Sequence, residues 1–284
     1  MLIPSKTNLF LQVGRRRPED GRHLLATLFL PLDRLRDEVE VTPLPAHSGI
    51  QLRQTGRALP DTPPERNLAV RAAALFCKRF GLADDWLVSL HKSIPVAAGL
   101  GGGSADAAAV LRQLQRFAPQ CTPEALRRLA LSLGADIPFF LQDGPAFATG
   151  AGELLQPVRI SAAFGVIIAF PGFPSAVQWA YLHSPERASL PTAPPEIPRS
   201  AEQIAALLQN DLAIPLKQKF PLLETVLRAM RNSGCISAEV SGSGSSCVGI
   251  CPPHAAAEIL PALAHHLRGF PRCELFHAAE FGTP

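Results

Sequence analysis

Residues Pro95-Val96-Ala97-Ala98-Gly99-Leu100-Gly101-Gly102-Gly103-Ser104-Ala105 run directly into the alanine-rich segment Asp106-Ala107-Ala108-Ala109. Glycine permits positive φ and lets a ligand approach the main chain, while alanine is the strongest helix former. A glycine loop feeding a helix N-terminus presents free N–H groups and the positive end of the helix dipole, a site for an anion such as phosphate. No Gly-x-x-x-x-Gly-Lys-Ser/Thr occurs, so this is not a Walker loop. Ser104 stands where the dinucleotide fingerprint needs glycine. Lys92 before the loop and Ser104 at its close supply a cation and a hydroxyl near a bound phosphate. A flexible loop before an ordinary helix is the plainer alternative, and three consecutive glycines, costly to order, weigh against it.

At 284 residues and 47% apolar content, the chain can bury one large core or two modest ones. Its net charge of +3 is too mild to argue for nucleic acid. The one basic run, Arg15-Arg16-Arg17, reads as a solvated turn. Cysteines at 77, 121, 235, 247, 251 and 273 form no CxxC pair, and a chain of this length with scattered cysteines suits a reducing compartment. Residues 1–10 lack the charged and apolar regions of a signal peptide. The most apolar run, 164–173, is broken by Pro171 and too short to span a bilayer. The expectation is a cytoplasmic protein with no membrane or nucleic-acid partner.

Periodicity predicts strands at 8–13, 39–41, 50–52 and 86–90, an apolar run at 23–32, and a helix over 65–80 opened by Pro63-Pro64 and stopped by Gly81. A helix follows the glycine loop to about Phe117, and another runs from the cap Thr122-Pro123 to Gly134. Strands are expected at 145–149, 154–158, 165–170, 238–240, 247–251 and 274–277, with helices at 201–209, 221–232 and 254–267. Five prolines between His183 and Arg199 make that stretch a mobile surface excursion. The pattern predicts an α+β protein of two parts, residues 1–158 with the glycine loop and 159–284.

Three further features bear on chemistry. Lys6 and Asn8 alternate on one side of the opening strand. A lysine there can stabilise developing negative charge, although on its own a terminal lysine reads first as solvated. Asp136 lies between a helix end and the apolar run Ile137-Pro138-Phe139-Phe140. It suits a general base, or equally a carboxylate bonding its own turn. Ser241-Gly242-Ser243-Gly244-Ser245-Ser246-Cys247 is a second glycine loop, either lining the same ligand or forming a tight hairpin.

Together, residues 4–11, 95–109 and 241–247 resemble the three motifs of the GHMP small-molecule kinases. Lys6-Thr7-Asn8-Leu9-Phe10-Leu11, Gly21-Arg22-His23, Gly134-Ala135-Asp136-Ile137-Pro138-Phe139-Phe140 and Ala146-Phe147-Ala148-Thr149-Gly150 narrow the resemblance to the branch acting on a cytidine diphosphate-linked methylerythritol in non-mevalonate isoprenoid synthesis. The resemblance implies an N-terminal domain like the second domain of ribosomal protein S5 and a ferredoxin-like C-terminal domain. It also implies ATP with Mg²⁺ and phosphorylation of a tertiary hydroxyl. By position, Asp136 takes the hydroxyl proton and Lys6 orients the attacking oxygen. Pro95 to Ala105 wrap the phosphates, and Asn67 and Lys92 lie toward the nucleoside. Asn8, Arg22, His23 and Tyr181 meet the substrate, His23 through the cytosine edge and Tyr181 by stacking; no protein ligand of the metal is assigned. Arg22 stands where the family usually has tyrosine, Ala105 where it has serine, and Val177 where it has threonine. Another GHMP kinase, acting on homoserine or in the mevalonate branch, and an inactive ligand-binding sensor are the alternatives. Lys6 and Asp136 argue against both.

Overall fold

The computed structural model describes residues 1–58, 63–196 and 198–282. Two compact units interleave along the chain. One comprises Met1–Ser5, Arg36–Val96 and Gly101–Asp143, the other Lys6–Leu35, Ala97–Leu100 and Gly144–Pro284. Strands β1 (Leu2–Arg16) and β2 (His23–Pro43) contribute to both.

In the first unit the C-terminal part of β2 pairs antiparallel with β4 (Trp86–Lys92), which pairs parallel with β3 (Ile50–Gly56). Three helices, α1 (Leu68–Phe80), α2 (Gly102–Leu114) and α3 (Pro123–Leu133), complete it. Helix α2 is buried nearly all round. Ala105, Ala107, Ala108 and Ala109 are fully enclosed, and their small side chains let α1 pack closely against them. The expected helix over 65–80 is shorter. Pro64–Arg66 forms a separate 3₁₀ turn, and Asn67, in extended conformation, caps α1 by accepting from the Ala69 N–H at 2.9 Å. Gly81 ends α1 in the left-handed region, φ 70°, as its sequence position predicts. Thr122 caps α3, its hydroxyl accepting from Ala125 N–H at 3.2 Å.

In the second unit β1 pairs parallel with the two-residue β8 (Gln209–Asn210). Strand β2 pairs with β5 (Ala146–Thr149), and β5 with β6 (Leu154–Pro157). A separate antiparallel sheet has the order β11-β7-β10-β9, with β7 at Phe164–Phe170, β9 at Ser237–Val240, β10 at Cys247–Cys251 and β11 at Glu274–Phe281. Helix α7 (Leu222–Asn232) precedes β9 and α8 (Ala256–His266) precedes β11. This is the β-α-β-β-α-β order of a ferredoxin-like unit. Leu223, Val226, Leu227, Met230, Ile259 and Leu263 bury the helices on that sheet's core. Between β7 and α7 lie α4 (Val177–His183), α5 (Ala201–Leu207) and α6 (Ala213–Lys219).

Three sequence expectations change. The runs at 23–32 and 39–41 are one strand of 21 residues. Helices α4 and α6, seven residues each, carry too little periodicity to be read. The proline-rich stretch is tied down where it begins. Arg187 N–H donates to Val13 C=O at 2.8 Å, and its guanidinium forks onto Asp211 at 2.6 and 2.7 Å. Asp211 also accepts from Val13 N–H at 3.0 Å, and Leu190 packs against Gly14 and Leu24. Ile197, within the same stretch, lies outside the described residues. No helix among the described residues is long and apolar enough to cross a membrane.

Candidate active site

Strand β1 buries four consecutive polar residues, Ser5, Lys6, Thr7 and Asn8, each no more than 5% exposed. Lysine is almost never buried without partners. Lys6 Nζ donates to Asn8 Oδ1 at 2.8 Å and lies 5.1 Å from the centre of the Phe29 ring. Asn8 Nδ2 in turn donates to Thr27 Oγ1 at 2.7 Å, and that hydroxyl donates to Phe10 C=O. Lys6 is therefore held by a chain of hydrogen bonds, which disposes of the solvated-lysine alternative.

Two glycine segments meet beside it. A Cβ on Gly242 would fall 2.9 Å from Gly99 C=O and 3.6 Å from Lys6 Nζ. One on Gly99, at φ 78°, would fall 2.2 Å from Ser241 C=O. Only glycine fits either position. Ser241 Oγ bridges Thr7 Oγ1 at 2.9 Å and Gly99 C=O at 3.3 Å. Lys6 N–H donates to Leu100 C=O, and Ser246 N–H to Ala98 C=O. Residues 241–246 are thus packed on residues 97–100 and on β1, more than a free-standing hairpin. Asn210 fixes them from behind, its Nδ2 donating to Val240 C=O at 2.8 Å and Gly242 C=O at 2.7 Å.

In the first unit, Gly101 caps α2 in the left-handed region, φ 71°, with no side chain closing the helix N-terminus. The first turn, Gly102 to Ala105, carries Ser104. Asp136 heads the 3₁₀ turn Ile137–Leu141, whose Ile137, Phe139 and Phe140 are buried. Its carboxylate makes no capping hydrogen bond to that turn.

Lys92 departs from expectation. It is 3% exposed, and its ammonium lies between the carboxylates of Asp37 and Asp106, the latter at 2.5 Å. Its charge is neutralised internally and is not a free cation for a phosphate. Burial pushes the Asp106 carboxyl above the ordinary range, against the opposing pull of Lys92. Asn67 is likewise engaged, through Oδ1, in capping α1.

The expected substrate residues Arg22, His23 and Tyr181 lie in the second unit. The His23 ring stacks on that of Tyr181, centroids 5.7 Å apart and planes 25° apart. Arg16 Nε donates to His23 Nε2 at 3.0 Å, so Nε2 is an acceptor and the ring proton sits on Nδ1, donating to Gly14 C=O at 3.0 Å. Arg22 remains at the surface, its backbone N–H on Asp20 Oδ1 at 3.1 Å. The basic run is not simply solvated. Beside Arg16 on His23, Arg17 binds Asp20 and reaches Glu153 at 2.6 Å. The hydrogen bond from Arg17 holds the Asp20 carboxyl below its usual range. A cavity of about 480 Å³ nearby is lined by Gly14, Arg15, Leu24, Leu25, Thr149, Gly150 and residues 187–192.

Sequence reasoning missed Asp37, Asn210, Asp211 and Glu153. For Asn210 and Asp211 the available signal was a polar pair ahead of the apolar run Leu212-Ala213-Ile214; Asp37, between Arg36 and Glu38, offered none.

Residues 67–144 match the model of the GHMP kinases N terminal domain, and residues 194–269 that of the GHMP kinases C terminal domain. A relative from Anaeromyxobacter dehalogenans (strain 2CP-C), a 4-diphosphocytidyl-2-C-methyl-D-erythritol kinase, is 40% identical over 263 residues, covering 90% of this chain and 82% of its own. A crystal structure of 4-(cytidine 5'-diphospho)-2C-methyl-D-erythritol kinase superposes with a TM-score of 0.75 at 35% identity, over 97% of both chains. Homoserine kinase from Cytophaga hutchinsonii superposes with a TM-score of 0.73 at 16% identity, covering 98% of this chain and 93% of that one; it shares the fold alone. With a buried lysine on its first strand, two interlocked glycine segments and near full-length likeness to these enzymes, the chain belongs to the 4-diphosphocytidyl-2-C-methyl-D-erythritol kinase family of the GHMP kinases.

Proposed function

We propose that this enzyme transfers the terminal phosphoryl group of ATP to the 2-hydroxyl of 4-diphosphocytidyl-2-C-methyl-D-erythritol, in the cytoplasm. The observation that carries the reading is the buried, hydrogen-bonded Lys6 beside Gly242 and Gly99, in a chain whose relatives at 35–40% identity bear that name. Phosphoryl transfer is mostly positioning and charge stabilisation, so a base, a lysine and a backbone cradle are sufficient protein chemistry. Asp136 accepts the proton of the attacking hydroxyl. Lys6 orients the oxygen and offsets the charge that develops on it. Pro95 to Ala105 cradle the phosphates, with the Ser104 hydroxyl among the donors and Asn67 toward the nucleoside.

Among the described residues no group of three or more His, Cys, Asp or Glu side chains is arranged to hold a metal ion. Magnesium at kinase sites rides largely on the nucleotide phosphates, with one or two carboxylates, and needs no such cluster. Bound so, it would neutralise phosphate charge. The division into residues 1–158 and 159–284 is supported by the two matched segments lying on either side of it.

Asn8, Arg22, His23 and Tyr181 form the substrate side. His23 meets the cytosine edge by exchanging its Arg16 partner, and Tyr181 supplies a stacking face. Tyr181→Ala raises the KM for the cytidine substrate about tenfold, since base–aromatic stacking contributes roughly 1–3 kcal/mol. The ATP KM stays within about twofold, and Tyr181→Phe is mild because the ring is retained. Steady-state kinetics on both variants and on Arg22→Ala checks this; a larger loss in Arg22→Ala would place the stacking surface on the guanidinium. The function itself is tested by ATP consumption with the diphosphocytidyl substrate beside homoserine and mevalonate. Turnover is expected with the first, and turnover confined to either of the others would overturn the assignment.

A further inference from the structure

We propose that Asp37, acting with Lys92, is a positioning residue for the nucleotide: it ties the stem of the glycine loop that leaves β4 to the stem that enters α2. Asp37 lies on β2, 58 residues before the loop begins, and is fully buried. Its Oδ1 accepts from the N–H groups of Ser93 at 2.7 Å and Ile94 at 2.9 Å, the first residues after β4. Its Oδ2 binds Lys92 Nζ, and the same ammonium reaches Asp106 Oδ2, in the second turn of α2, at 2.5 Å. Gly102, at the start of that helix, closes the arrangement. A Cβ there would meet Ile94 Cγ2 at 3.0 Å and Asp37 Oδ2 at 3.5 Å. One carboxylate therefore governs both the exit from β4 and, through Lys92, the placement of the helix end whose N–H groups face the ligand.

The composition of this cluster is not what stability alone favours. Two carboxylates share one ammonium, all no more than 3% exposed, and Asp106 Oδ1 is buried with no hydrogen-bond partner. Buried ion clusters are often neutral or destabilising relative to apolar residues of the same volume, and an unsatisfied buried oxygen adds to that cost. What the cluster provides is a fixed geometry. A cradle already held in its binding geometry loses less entropy when a phosphate arrives. The inference rests on the glycine loop being the nucleotide site.

The test uses Asp37→Asn in the full-length protein. It keeps an oxygen for Ser93 and Ile94 but turns an amide donor against the lysine. Calorimetric titration with a nonhydrolysable ATP analogue is expected to show about tenfold weaker binding. In turnover the ATP KM rises by a similar factor, while the KM of the second substrate stays within about twofold. A purely structural role would move both together, or neither. Hydrogen exchange on the wild type gives a readout that needs no variant: the Ser93 and Ile94 amides should be protected equally with and without the nucleotide. Equal analogue affinity in a folded Asp37→Asn variant overturns the inference, as does protection of those amides only when nucleotide is bound. If the wild type binds no analogue, the nucleotide reading of the loop fails first and the inference falls with it.

Discussion

Replacing Asp136 by Asn is expected to lower turnover by about 10²–10⁴-fold, the range for losing a general base, while an ATP analogue still binds. Asn keeps the shape of the carboxylate but cannot take the hydroxyl proton. Asp136 heads a turn whose Ile137, Phe139 and Phe140 are packed in the core, and Asn matches the carboxylate in size and shape. The variant should therefore fold, and a melting curve beside the kinetics will show it. A folded Asp136→Asn enzyme turning over near the wild-type rate would remove the base from this mechanism. Lys6 would then have to act on a hydroxyl that loses its proton to solvent.

Gly99→Ala is the second large effect. Its φ of 78° lies in the left-handed region, and the added Cβ would stand 2.2 Å from Ser241 C=O and 2.8 Å from Gly244 N. Both obstacles are backbone, so relief requires parting the two glycine segments. Left-handed φ for alanine costs about 1–2 kcal/mol and overpacking about 1–3, giving roughly 2–5 kcal/mol in all. Gly103→Ala makes the same chemical change inside α2. There the Cβ meets only Leu68 Cδ1 at 3.7 Å, an ordinary contact, and alanine is favoured over glycine in a helix by about 1 kcal/mol. Chemical denaturation of both variants should give opposite signs. Equal tolerance of the two would mean that the contact between residues 97–100 and 241–246 is not a constraint on the native state.

Much of this was legible because local chemistry decided it. Thr122-Pro123 and Gly81 marked helix ends through capping and left-handed φ, which depend on neighbours in sequence. The apolar run at 165–170 read as a strand, and the strand Phe164–Phe170 is buried along its whole length. The glycine loop was visible because consecutive glycines are costly unless a backbone needs them. What escaped depended on partners distant in sequence. Lys92 read as a loop cation because Asp37, 55 positions earlier, is not on the same element. The basic run read as solvated because Glu153, 136 residues later, pairs with Arg17. Strand β2 was split in two because Asp33 and Arg34 interrupt its apolar run, although beyond them it alternates between buried and exposed residues as a half-covered strand should. Asn67 illustrates a different limit: its type suits a ligand contact and a helix cap equally, and the structure uses its oxygen for the cap.

The tie between Arg187 and Asp211 sets where this chain can lengthen. Asp211 holds both Arg187 and the backbone of Val13, and Leu190 sits on Gly14, so the segment up to residue 190 has a fixed path. Beyond it, Pro191, Thr192 and Ala193 are exposed and make no regular pairing. An epitope tag or a reporter domain spliced after Ala193 enters where closing a longer loop adds only about 0.6 kcal/mol per doubling. The same insert placed just before Arg187 would adjoin the residue that is pinned to Val13 and Asp211.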